Sequence, residues 1–435
     1  MHRAVGLTLV VVLILAAACT TGSAAVGSTP PTGGHVTARP SVPAPAEPAG
    51  ADAWLVVGRA GETGIEVVRA GTHERMLELP AGLPGADWSR VVAAIPGALE
   101  TRIVTYAAGA GWTPVERVID GAWRLPMIGR DPVPVGGSLD GKSIVLVEDH
   151  PAEDGPTRFA ILSAPLDGAP RVIELDGVFA YDALAPDGST LFVIEHLDGR
   201  GNGRYQVRAV DVAAGTLREG IVADKRTLAA EMAGWPIGQV RRADGLVFTL
   251  YDGADHPFIH ALNTVDATAV CIDLPHGHVR DARAMLDWGM ADAGGTLYAV
   301  NASLGHIVEI DGTTLEVRRT AEIEPLRSAA VSLAKFGHVA AGPVNRRVVA
   351  SPDGATLYAA GRGGIVVIDT AVLEQRDRFL AGLAVEAVGL MPDGATLYAL
   401  LRDRGRIVGL DAATGKSLGE LAGEGYDRLL GVVPW

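Results

Sequence analysis

Cysteine is nearly absent from this chain. Only Cys19 and Cys271 occur in 435 residues, which excludes a disulfide-stapled scaffold and any centre built on paired cysteines. Lysine is almost as scarce, with Lys142, Lys225, Lys335 and Lys416 the four among 37 basic residues. Against 51 acidic residues this leaves a net charge of −14, and a surface of that sign repels phosphate backbones and anionic lipid headgroups. Nucleic acid is therefore not an expected partner. The common catalytic signatures are missing as well: no Gly-x-Ser-x-Gly elbow, no Walker loop, no His-Glu-x-x-His helix and no Cys-x-x-Cys-His haem site.

Long apolar runs are also lacking. The most pronounced one, residues 5–15, follows the lone charge Arg3 and ends in Ala16-Ala17-Ala18 before Cys19. It is too short to span a ~30 Å hydrocarbon core comfortably, and residues 1–18 read as a secretory signal. The cut site resembles a bacterial lipoprotein lipobox, with Ala16 where that motif usually has Leu. The resemblance implies that Cys19 is diacylated and holds the protein on the outer leaflet of the cytoplasmic membrane, facing outside. Ordinary cleavage after Ala18, or in the alanines beyond, is the alternative. Each buried CH₂ contributes about 0.8 kcal/mol, so two acyl chains anchor stably where one does not. Residues 19–52 are mostly Gly, Ser, Thr, Ala and Pro; such a segment buries too little apolar surface to order and reads as a tether.

Glycine, by contrast, is plentiful at 55 residues, and much of it falls in one recurring phrase. Ser351-Pro-Asp-Gly-Ala-Thr-Leu-Tyr358, Met391-Pro-Asp-Gly-Ala-Thr-Leu-Tyr398 and Ala185-Pro-Asp-Gly-Ser-Thr-Leu-Phe192 each set a tight turn before a strand. Equivalent turns stand at Asp87-Trp88, Asp140-Gly141, Asp244-Gly245 and Gly294-Gly295. Several third strands close on a second aspartate: Val210-Asp211, Ile310-Asp311, Ile368-Asp369 and Leu410-Asp411. The pattern predicts an all-β propeller of four-stranded blades over residues 53–435. Seven turns are visible; residues 54–58 and 65–69 supply middle strands of a further blade that lacks a first strand, and residues 429–433 supply that strand. Eight blades closed by the C-terminal strand are expected, with seven the rival if residues 54–79 merge with their neighbour, and a monomer is the expected state.

These repeats resemble the YVTN-type propeller repeat, most specifically at Pro352-Asp353-Gly354, Leu357-Tyr358-Ala359 and Val366-Val367-Ile368-Asp369-Thr370. Tyr298-Ala-Val-Asn301 comes nearest the name-giving tetrapeptide. The block around Met232-Ala-Gly-Trp-Pro236 and Phe248-Thr-Leu-Tyr251 is similar to one in propeller lipoproteins of high-GC bacteria, a group that supplies no activity to carry over.

In a propeller, the connections from fourth to next first strand and from second to third strand emerge on one face, where binding loops gather. Three consecutive ones here are long, near residues 223–237, 275–288 and 322–344, and suggest a lid. His150, His196 and His256 each follow a second strand, Asn301 and His306 bracket another, and His276 and His278 lie in a long connection. Imidazoles beside carboxylates can hold a divalent metal or act as a general base, but no spacing matches a metal signature, and solvated or hydrogen-bonded roles are the plainer reading. No cofactor is predicted beyond that optional metal. His260 reads as a strand side chain against a neighbouring blade, and Cys271, within Ala269-Val-Cys-Ile272, as a small buried hydrophobe. Two functions remain: a surface-tethered scaffold binding a sugar, peptide or protein, or a lactonase-like propeller hydrolase or lyase using the top-face histidines and acids.

Overall fold

The computed structural model describes residues 53–59, 64–72, 74–85, 88–128, 133–151, 155–164, 166, 168–197, 205–224, 236–251, 257–275, 287–326, 346–422 and 425–434. The expected signal and tether lie outside them. The folded part is all-β, with eight antiparallel blades: blade 1 joins the two chain ends, and blades 2 to 8 span residues 83–120, 123–175, 178–224, 236–273, 288–322, 348–379 and 387–422. The first strands of neighbouring blades touch across several seams, which places them around the central axis.

Blade 1 is the closure. Its innermost strand is the C-terminal Tyr426–Pro434, followed outward by Ala53–Arg59, Ile65–Arg69 and Arg75–Leu79. Trp54 lies opposite Val433 and Val56 opposite Gly431. Pairing the two ends of the chain in one sheet removes the edge each would otherwise expose. The closing strand starts three residues earlier than its apolar pattern suggests, because Tyr426 and Arg428 pair with Arg59 and Gly58. Gly431 is required where it stands: a Cβ there would meet the indole of Trp88 at 3.0 Å. Trp88 itself takes the left-handed conformation, φ 59°, that glycine fills in most of the sibling turns.

The turns behave as their sequence predicts. Asp187, Asp353 and Asp393 each accept a hydrogen bond through Oδ1 from the backbone N–H two residues on, at 2.9–3.0 Å, while Gly188, Gly354 and Gly394 hold φ of 75°, 70° and 75°. The third-strand aspartates do the same, Asp411 taking Thr414 N–H at 2.8 Å. The carboxyls lie below their usual range, Asp353 chiefly through the Ser351 hydroxyl, Asp411 through the Thr414 hydroxyl and Asp187 through the Ser189 backbone N–H, with the turn N–H bonds adding to the first two. The repeated Asp-Gly pairs are thereby accounted for as turn chemistry.

The core is distributed in the seams between blades, where apolar faces of neighbouring sheets meet. Blades 5 and 6 join around Phe248, Ile259, Trp288 and Leu297; blades 7 and 8 around Ile365, Phe379, Leu397 and Leu410. The seam between blades 4 and 5 has a thinner apolar cluster, mainly Ala183, Ala185, Phe192, Val247 and Leu262. Polar side chains complete it. Arg241 of blade 5 ties three blades together there, donating to Gly137 O at 2.8 Å, to Tyr181 Oη at 3.1 Å and to Gln239 Oε1 at 2.7 Å.

Candidate functional site

Blade 3 departs from its siblings. Its first strand, Trp123–Arg124, is interrupted by a hairpin of two short strands, Met127–Ile128 and Val133–Pro134, before Gly137 resumes pairing with Ile144. Two-residue strands carry no readable periodicity, so the sequence gives no sign of them. The interruption opens a cleft of about 260 Å³ beside blade 4, lined by the ends of strands on the face that carries the second-to-third connections.

Apolar and charged groups both line the cleft: Pro126, Met127, Val147, Val178 and Phe179 alongside Arg124, Glu148, Arg158 and His196. They interleave, since Val178 lies opposite His196 and Val147 opposite Arg124 in their sheets. Arg158 opens the strand Thr157–Ser163 and reaches Glu148 Oε1 through Nη1 at 3.0 Å, with its guanidinium 5.4 Å over the Trp123 ring. Arg124 Nε stands 3.3 Å from Asp149 Oδ1. Both arginine side chains remain about two-fifths exposed, at 43% and 38%. They are oriented by carboxylates and still offer N–H groups to a ligand. His196 ends the strand Thr190–His196, and burial lowers its pKa, since the imidazolium loses hydration there. It is therefore neutral at pH 7, one ring nitrogen donating and the other accepting.

The expected histidine ring is only partly assembled. His150 sits on the rim with its side chain 88% exposed, Nε2 lying 3.3 Å from Asp149 Oδ2. Asn301 is fully buried and spends its side chain on the backbone, Oδ1 accepting from Leu304 N–H at 3.0 Å. His306 stacks on Trp288 at 6.3 Å and 12° in blade 6, its pKa lowered by burial with Glu322 pulling the other way. Both belong to blade 6 and do not line the cleft. His256, His276 and His278 lie outside the described residues, as do most of the three long connections. Among the described residues, no three of His, Cys, Asp and Glu stand together as a metal site. The sequence missed Arg124, Glu148, Arg158 and Phe179, because each looks like an ordinary strand-end residue until blades 3 and 4 are set side by side.

A second polar constellation lies on the same face at blades 6 to 8. Asp287, buried, accepts from Ser303 Oγ at 2.6 Å and faces Arg362 Nε at 3.0 Å and Arg347 Nη2 at 3.3 Å. Arg347 also reaches Glu386 at 2.8 Å. Its charges are mutually satisfied and bind three blades.

Neither a protein family model nor a curated protein sequence matches the chain. Solved structures do. AztD from Citrobacter koseri, in its apo form, superposes with TM-score 0.53 at 15% identity, covering 88% of this chain and 98% of that one. Dihydro-heme d1 dehydrogenase NirN, solved in complex with DHE, gives 0.54 at 15%, covering 92% and 77%. The periplasmic gluconolactonase PpgL of Pseudomonas aeruginosa aligns at 0.40 with 16% identity over 79% of this chain and 99% of that one, too distant to bear on chemistry. At these identities the likeness is one of fold, and that fold is the β-propeller.

Proposed function

We propose that this protein is a lipid-anchored, extracytoplasmic propeller that binds a small neutral sugar in the cleft between blades 3 and 4. The observation that carries the reading is one small cleft lined both by apolar side chains, Phe179 and Met127 among them, and by Arg–carboxylate pairs with His196. A sugar ring needs both: an apolar face for its C–H groups, and planar donors and acceptors for its hydroxyls. Arg124, Arg158 and Glu148 supply these with their charges compensated, which disfavours a strongly ionic ligand. The volume of about 260 Å³ lies below the roughly 300–1,000 Å³ of drug-sized sites, so one ring fits.

Thermal unfolding against a panel of neutral monosaccharides tests this. A ligand present at 100 times its Kd adds about 2.7 kcal/mol of stability, enough to raise Tm by several degrees. Arg158→Met should abolish the shift, and absence of a shift with every sugar would overturn the reading. Affinity should also fall in acid, and only well below the ordinary His value of about 6.5, because burial holds the His196 pKa under it. The bound sugar uses His196 as an acceptor, and protonation removes that lone pair and adds a third positive charge to the cleft. An identical acid fall-off in His196→Gln and the parent would show that His196 takes no part.

A lactonase-like hydrolase is the second reading, favoured by the same His196, which burial keeps in the basic form at neutral pH. Release of acid from a sugar lactone, lost in His196→Gln, would separate turnover from binding.

The membrane anchor rests on Cys19 following the short apolar run. Cys19→Ser should shift the mature protein from the membrane to the soluble fraction, as read by fractionation and immunoblotting. Unchanged membrane retention would contradict the anchor.

A further inference from the structure

The seam between blades 4 and 5 holds an array that the sugar site does not use. Across blade 5, Gln239, Thr249, His260 and Cys271 lie opposite one another in successive strands, forming a polar row through the sheet. Cross-strand neighbours share a face, and this face meets Asp182, the extra residue at a bulge in the first strand of blade 4. Cys271 Sγ lies 3.7 Å from His260 Nδ1. His260 Nε2 lies 3.8 Å from Asp182 Oδ2. His260 and Asp182 are 2% and 3% exposed, and Asp182 Oδ2 has no hydrogen-bond partner among the described residues.

Cys271 lies on the outer strand Thr268–Asp273, packed against Tyr251 and Phe258 as its apolar run suggests, but it is only partly buried and its thiol is reduced. A buried carboxyl group, an imidazole and a thiol thus follow one another at 3.8 and 3.7 Å. We infer that Cys271 is a nucleophilic thiol, activated by His260 with Asp182 seated behind the imidazole, and that it is a modification site for small hydroperoxides.

His260 Nδ1 takes the thiol proton. The thiolate sulfur attacks one peroxide oxygen, the O–O bond breaks, and the departing hydroxide or alkoxide recovers the proton from the imidazolium. Cysteine is oxidised to sulfenic acid, and the peroxide is reduced to water or an alcohol. Asp182 is a positioning residue, packed behind the imidazole with Oδ2 3.8 Å from Nε2 while Nδ1 faces the sulfur. The other titratable groups bearing on the array are Tyr205 of blade 4 and Tyr251 of blade 5, with Arg241 acting on Asp182. Both tyrosines are held neutral by burial, their pKa values raised, so neither competes for the thiol proton.

The test uses the full chain, one equivalent of hydrogen peroxide at pH 6, dimedone to trap sulfenic acid, and mass spectrometry of the Cys271 peptide, which keeps Cys19 out of the signal. An ordinary thiol, with pKa near 8.5, is almost wholly protonated at that pH. Cys271 in the native protein should be trapped about tenfold faster or more than in the same protein unfolded in urea. His260→Gln should bring the native rate down to the unfolded one, and Asp182→Asn should slow it partway. A native rate no greater than the unfolded rate overturns the inference, as does a folded His260→Gln that reacts like the parent. If His260→Gln fails to fold, the native-to-unfolded ratio together with Asp182→Asn decides.

Discussion

Removal of residues 429–435 is expected to abolish cooperative folding of the entire propeller. Most of this segment belongs to the innermost strand of blade 1, Tyr426–Pro434, and Leu429 and Leu430 are 3% and 8% exposed. Burying a leucine contributes about 1.5–3 kcal/mol, and each ladder hydrogen bond about 0.5–1.5 kcal/mol. Together they rival the roughly 5–15 kcal/mol by which a domain is stable. The loss is not local: Leu429 packs with Leu55, Val57 and Leu400, so blades 1 and 8 would part. Circular dichroism against temperature should show no sharp transition for the truncated chain. A transition within a few degrees of the parent would mean that the ring closes without this strand.

Arg347→Met is expected to have the largest effect of any single substitution considered. Arg347 is 5% exposed in its side chain and lies between Asp287, 4% exposed, and Glu386. Burial works against its charge, and the two carboxylates together more than offset that, holding the guanidinium's pKa above its usual value. Taking away one partner of a buried ion pair typically costs about 3–5 kcal/mol, because the remaining charge is left without compensation. Asp287 keeps Arg362 and Ser303, so the lower end of that range is expected, with Tm reduced by roughly 4 °C for a fold of this size. Arg347→Lys, keeping the charge but losing the fork, should fall between. A methionine variant as stable as the parent would show that these charges contribute nothing net.

The architecture was legible because turn chemistry is local. Asp353-Gly354 and Asp393-Gly394 announce their turns through two residues each, and the Thr-Leu-Tyr that follows each announces a strand; the bonds at Ala355 and Ala395 N–H are the physical content of that signal. The cleft was not legible, because it depends on seams. Arg158 and His196 are 38 residues apart in the chain, and only the packing of blade 3 on blade 4 brings them to one cleft. Histidines drew attention as titratable residues, yet Asn301 and His306 serve turn and packing roles that a single sequence does not distinguish from ligand contacts. His260 was placed correctly against a neighbouring blade; that its neighbour there is a buried aspartate was hidden by a separation of 78 positions in the chain.

The most direct test of the sugar-binding account is photo-crosslinking, with a diazirine derivative of the best-binding sugar irradiated in the presence of the full chain and the adducts mapped by mass spectrometry. The account predicts labels on Met127, Glu148, Phe179 or His196, all competed away by the unmodified sugar. Competed labels on the opposite face, around Asp353 and Asp393, or at Asp287 and Arg362 over blades 6 and 7, would contradict it.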